Sequence, residues 1–175
     1  PMTSTEQQSR INEILQEETR LSQQLLGILQ SENQALNSND HDAIQQLIPN
    51  KQQAIDNLES LVQQRRSLLK NAGFSEDKNG MEALIKQCGA ISRGLLEQYW
   101  HQLVTVASGC QRQNEINGII ISASSRDTKH ALSILKGQRP GKELHYGPNG
   151  EKINTAYSTT FAKAQPWYPV ISFKK

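Results

Sequence analysis

Four histidines, two cysteines and one Asp-x-x-His step are the first places to look in this sequence for acid–base, nucleophilic or metal chemistry. His41, His101, His130 and His145 are scattered, and none sits in a motif that would supply a nucleophile, its base and a group to orient the base. Asp127-x-x-His130 echoes the Glu-x-x-His step of di-iron helical bundles, but those need two such steps and further inward carboxylates, and one is present here. No phosphate-binding loop, dinucleotide-binding glycine loop or zinc signature occurs. Cys88 and Cys110 form no Cys-x-x-Cys pair, so the expectation is two small core hydrophobes in a reducing cytoplasm. The inventory points away from an enzyme and implies no cofactor and no metal.

Residues suited to holding another helix are more prominent. Asn114, Asn117 and Gly118 lie in the longest helical stretch, where glycine costs about 1 kcal/mol and asparagine is a poor helix former. The spacing predicts that Asn117 fixes helix register through a hydrogen bond while Gly118 lets a neighbour approach closely. Ile119, Ile120 and Ile121 follow, and because successive helical residues point about 100° apart, one core cannot bury all three. With Ala123, Leu132, Ile134 and Leu135 they form a surplus of apolar surface. A self-dimer, a cover by the chain's own aromatic tail and a groove for a foreign amphipathic helix each fit that surplus, and the third is preferred.

These residues must be positioned by long helices. Ile11, Ile14, Glu18, Leu21, Leu25, Ile28, Glu32 and Ala35 step alternately by three and four, the seam of a helix that packs on helices. Ser4 or Thr5 starts this helix and the run Asn37 to Asn39 ends it. A second, capped by Asp40 or Asn39, carries Ile44, Ile48, Lys51, Ile55, Leu58, Val62, Arg65 and Leu69 at the same steps. Pro49 is expected to kink or break it, and Gly73 to end it with Phe74 folding back. Ser75 is placed to cap a short third helix that Gly80 and Gly89 weaken. From Ser92 to Lys136 no proline intervenes, and Ile91, Leu95, Tyr99, Leu103, Val106, Cys110, Asn117, Ile120, Ala131 and Leu135 keep helical spacing. That predicts a last helix of about 45 residues, roughly 65 Å long.

The fold class expected is all-α: an elongated antiparallel bundle or coiled coil of three long helices plus a short one, over 1–136, with a non-helical tail over 137–175. An apolar share of 35%, below the roughly 45 to 50% (glycine included) of a compact globule, suits such a narrow core. The tail combines Gly/Pro punctuation with six of the nine aromatic residues, and its Arg139, Lys142, Lys152, Lys163, Lys174 and Lys175 outnumber Glu143 and Glu151. The charge is therefore +4 in the tail and −2 before it, from a total of +2. Without an Arg/Lys block or an RNA-binding aromatic motif, nucleic acid is not an expected partner. Pro1 to Arg10 is polar and no stretch nears the 18 or so apolar residues of a membrane span, so neither a signal peptide nor stable membrane insertion is expected. Translation cannot begin at proline, so Met2 is the expected natural start.

Three stretches resemble a known family: Lys51-Gln52-Gln53 through Arg65-Arg66 into Gly73-Phe74; Cys110 through Asn114 and Asn117-Gly118 to Ile121; and Leu132 to Gly137 followed by Tyr146-Gly147-Pro148-Asn149-Gly150. They resemble the bacterial FlgN-type flagellar export chaperones. The resemblance implies a cytoplasmic chaperone, without catalysis, that holds hook-associated proteins of the hook–filament junction before export. It implies that the last helix binds the cargo's C-terminal helical segment, here through Ile119, Ile121, Ala123, Ala131, Leu132, Ile134 and Leu135. It also implies that a tail tyrosine docks on the export gate protein FlhA, a role that falls by position on Tyr146, with Gly147 beside it. His145, Pro49 and the ending 165–175 depart from the family's pattern. The alternative is a homodimeric coiled-coil adaptor with no export cargo.

Overall fold

The computed structural model describes residues 5–137, and among these residues there are four helices and no strand. The first, α1 (Thr5–Ser38), turns inward the residues its three-four spacing selects: Ile11, Ile14, Glu18, Leu21, Leu25, Glu32 and Ala35 are all buried. Leu29 takes the place expected of Ile28, which is half-buried. Asn39 then adopts a left-handed backbone (φ 55°), a conformation asparagine tolerates. The Asp40 carboxylate accepts a hydrogen bond from the Ala43 amide at 3.0 Å and caps α2 (His41–Asn71). A reversal this short makes α1 and α2 antiparallel neighbours.

In α2 the buried residues are Ile44, Lys51, Ala54, Ile55, Leu58, Val62, Arg65 and Leu69, the expected seam with Ala54 added and Ile48 half-buried. Of the kink or break expected at Pro49, the break does not occur: α2 is one helix through that residue. Pro49 and Gln45, whose carbonyl loses its usual donor, are both exposed, so water can satisfy that carbonyl. Beyond Asn71 the Gly73 backbone is left-handed (φ 83°), and Phe74 returns its amide to the Leu69 carbonyl at 2.9 Å and packs against the core.

Asp77, not Ser75, caps α3 (Lys78–Gln87), accepting from the Gly80 amide at 3.0 Å. The Ser75 hydroxyl instead donates to the Asp77 carboxylate at 2.6 Å. Gly80 is required here, since a Cβ would lie 1.8 Å from the Ser75 carbonyl oxygen. Met81, Leu84, Ile85 and Cys88 then close one end of the bundle against Ile11, Leu15, Leu69, Leu96, Trp100 and Leu103. The long last helix, α4 (Ala90–Leu135, 46 residues), starts two residues earlier than expected, and its first turns bury Leu96 and Trp100 instead of Ile91 and Leu95. Ile91 and Leu95 are exposed. Both α2 and α4 pack along α1, and α4 runs parallel to it: the Cys110 thiol donates to the Ser22 carbonyl and the Asn117 amide to the Leu29 carbonyl.

Two ion pairs cross the α1–α2 interface inside the core. Arg65 Nε donates to Glu18 Oε1 at 2.9 Å, and Lys51 Nζ donates to both Glu32 oxygens at 3.1 and 2.9 Å. All four side chains are buried. The Arg65 guanidinium also lies over the Trp100 ring, 5.3 Å from its centre, and its Nη atoms have no hydrogen-bond partner among the described residues. Burial pushes the Glu18 carboxyl above the usual carboxylate range despite Arg65, and pushes the Lys51 amine below its usual range despite Glu32. Desolvation outweighs attraction in both, so these pairs define the arrangement of the helices more than they stabilise it. Arg65→Met alone, which strands the Glu18 carboxylate, is expected to cost about 3–5 kcal/mol in urea unfolding. Combined with Glu18→Leu it should regain wild-type stability or exceed it; an equal loss in single and double variants would contradict this account.

Candidate functional site

How far α4 reaches is decided by one buried asparagine. Asn117 is wholly inaccessible, and its side-chain amide donates to the Leu29 carbonyl and to Glu32 Oε2, both at 2.8 Å. Its carbonyl oxygen accepts from Asn33 at 3.0 Å and from Gln113 at 3.1 Å. Through Glu32 the network continues to Lys51, so a single set of hydrogen bonds ties α4 to α1 and α2. The register role expected of Asn117 is therefore seen. The close approach expected at Gly118 is not, because a Cβ there would meet nothing within 4 Å.

Cys110 with Ser22 and Asn117 with Leu29 are each 88 residues apart, so one offset relates the two parallel helices. At that offset Ser38, the last residue of α1, stands level with Arg126. The end of α4 continues for nine more residues, to Leu135, roughly 14 Å past the end of α1 at the helical rise. Nothing among the described residues covers that end: Leu132 is 48%, Ile134 57% and Leu135 83% exposed.

The seven residues expected to meet a partner do not form one patch. Ile119 and Ala131 are exposed with Leu132, Ile134 and Leu135, whereas Ile121 and Ala123 are half-buried. At about 100° per residue, Ile121, Leu132 and Leu135 lie on the face that Asn117 turns to α1, while Ile119, Ala123 and Ile134 lie on an outer flank. Ile116 shares that flank and is exposed, a member the sequence reading left out. Its spacing of three from Ile119 and seven from Ala123 was the available signal. Tyr146 and Gly147 lie outside the described residues.

The side chains that chemistry would require stay apart. No group of three or more His, Cys, Asp or Glu able to hold a metal occurs among the described residues, and Asp127 and His130 are exposed on the projecting end. Both cysteines are buried, and neither is joined in a disulfide. Cys110 donates to the Ser22 carbonyl at 3.2 Å, and burial pushes its thiol up to about 12. No helix among the described residues is long and apolar enough to cross a membrane.

The described residues thus form a narrow helical bundle in which one amphipathic helix extends past the end of α1. The model of the FlgN protein family matches residues 2–153, and the chain belongs to that family. It is thereby a flagellar export chaperone of the kind that binds hook-associated proteins; the family is one of chaperones, not of enzymes. No curated protein and no solved structure matches it.

The burial of both thiols has a direct readout. In the folded protein neither cysteine should react with dithionitrobenzoate at pH 8 over a period in which the urea-unfolded chain reacts at both, because thiolate is the reactive form. Prompt release of one equivalent from the native protein would show that the α1–α4 or α3–α4 packing is open.

Proposed function

We propose that the projecting end of α4 holds the C-terminal helical segments of hook–filament junction proteins in the cytoplasm, prevents their premature assembly, and hands them to the export gate. The cargo surface in this reading spans two faces of α4, the seam with Ile121, Leu132 and Leu135 and the outer flank with Ile119, Ala123 and Ile134, with Ala131 between them. In this reading residues 1–136 are the bundle and 137–175 a tail that presents Tyr146 and Gly147 to FlhA. One observation carries it: α4 outruns α1 by nine residues and keeps Leu132, Ile134 and Leu135 open. Cargo whose terminal helices assemble by coiled-coil contact is held back by an equivalent seam. Reversible capture at micromolar affinity corresponds to about −8 kcal/mol, within reach of a few buried leucines and isoleucines after ordering costs.

The bare isoleucines of the outer flank also suit the second reading, a homodimeric adaptor, which sedimentation of the purified chain separates from the first. Replacing Ile134 and Leu135 with aspartate should abolish capture of the junction proteins and leave the helical signal unchanged. Each large side chain lost from a partner's interface removes about 1.5–3 kcal/mol, and both residues are exposed in the free protein. An unfolded double variant would place them in the protein's own core.

Tyr146→Ala should leave folding and cargo capture intact and weaken docking on the FlhA cytoplasmic domain about thirtyfold, the usual effect of truncating an aromatic anchor. Gly147, Pro148 and Gly150 follow it in the sequence and favour a turn that fixes the direction of the ring. Equal affinities in a titration would remove Tyr146 from the site and move attention to Trp167, Tyr168 and Phe173.

A further inference from the structure

The face of α4 that is buried lower down does not stop where α1 stops. Asn117, Ile121, Ser125, Thr128, Leu132 and Leu135 follow one another at steps of four, four, three, four and three, so the coiled-coil seam runs on into the bare end. Thr128 can face an apolar partner without an unpaired donor, because its hydroxyl is bonded to the Ser124 carbonyl at 3.0 Å. The two borders of this seam differ. Lys129 and Lys136 each follow a seam residue directly and stand one heptad apart on the same side, both exposed, neither paired with a carboxylate among the described residues. Ser124 and Ala131 occupy the matching positions on the other border and carry no charge. In coiled coils, charges at these bordering positions choose the partner and its orientation.

Given the cargo reading above, we infer that the helix received by this end carries acidic residues along the border of its apolar seam, opposite Lys129 and Lys136. Two other occupants are disfavoured on the same grounds. The seam faces the space directly beyond the Asn39–Asp40 turn, so a second copy running parallel would drive its α4 through that turn. An antiparallel copy avoids the turn but sets Lys129 and Lys136 against their own counterparts. The chain's segment 138–175 carries six Lys or Arg against two Glu, a charge that the same two lysines repel. A foreign helix with acidic borders meets the lysines favourably, and it ends over the turn, which limits the contact to about nine residues of α4, a little over one heptad.

Two helix-stabilised synthetic peptides of about two heptads, with identical leucine seams and either glutamate or lysine at every bordering position, test this on the full-length protein by fluorescence anisotropy. At low ionic strength the glutamate peptide should bind about tenfold more tightly, and the difference should largely vanish near 1 M salt. The Lys129→Glu, Lys136→Glu double variant should reverse the order, and Leu132→Asp should weaken both peptides. Equal affinities, or a preference for the lysine peptide, overturn the charge rule and leave helix capture standing; binding of neither peptide overturns helix capture itself. A photo-reactive phenylalanine in place of Leu135 identifies the occupant. Adducts with the glutamate peptide support the inference, and adducts with a second copy or with residues 138–175 overturn it.

Discussion

The buried pairing of Glu18 with Arg65 and of Glu32 with Lys51 is the constraint on which the rest of the molecule depends. The two glutamates are 14 residues apart on α1, and the two cations 14 apart on α2, so both pairs belong to one antiparallel register. Slide α2 by a heptad and the carboxylates fall opposite Leu58 and Ala72, or Leu58 and Ile44, with no cation to meet them. Slide it by two heptads and one pair can re-form, but the other glutamate is left in the core alone. A stripe of leucines would be nearly indifferent to such slips, whereas stranding one buried carboxylate costs several kcal/mol. The penalty of burying four charges is thus the means by which a narrow, leucine-rich seam acquires a single alignment.

That alignment is transmitted to the third long helix through Glu32. Its Oε2 atom accepts from Lys51 on α2 and from Asn117 on α4, so the height of α4 is set by the same carboxylate that sets the register of α2. At the other end Arg65 stacks on Trp100, which fixes the rotation of α4 where the α3 plug meets it. The extent of the bare helix end is therefore a consequence of the core's polar groups.

These dependencies explain what the sequence disclosed. Where charged residues punctuate the apolar stripe, as at Glu18, Glu32, Lys51 and Arg65, the three-four spacing allowed one face and the structure buries that face. At the start of α4 the pairs Leu95-Leu96 and Tyr99-Trp100 offer two adjacent faces of similar hydropathy, and periodicity alone does not choose between them. The choice belongs to partners far away in sequence, namely the α3 plug and the Arg65 guanidinium. Pro49 does not break α2, and both it and Gln45, whose carbonyl it leaves without a donor, are exposed. The surplus of apolar residues after Asn117 was visible as a count, yet its division into a seam and an outer flank was not. That division follows from the level at which α1 ends, a fact of tertiary structure fixed by the bond from Asn117 to the Leu29 carbonyl.

A binding surface made this way is a continuation of the fold's own packing. In the proposed reading the guest helix would occupy the place that one more heptad of α1 would fill, resting on Thr128, Leu132 and Leu135 as α1 rests on Cys110 and Asn117. Polar groups pin the upper part of the α1–α4 seam: a thiol bonded to a carbonyl at Cys110, and Asn117 with Glu32, restrict which helix fits and at what height. Above Arg126 the seam keeps its leucines but offers no buried hydrogen bond or internal charge pair among the described residues, leaving apolar contact and two bordering lysines. Apolar contact is nondirectional, so under the proposed function such a seam would accept related helices of differing sequence, and exposed charges would steer association more than they tighten it. Strict specification below and permissive contact above are what a carrier requires: a scaffold that holds one shape while its guests change and leave.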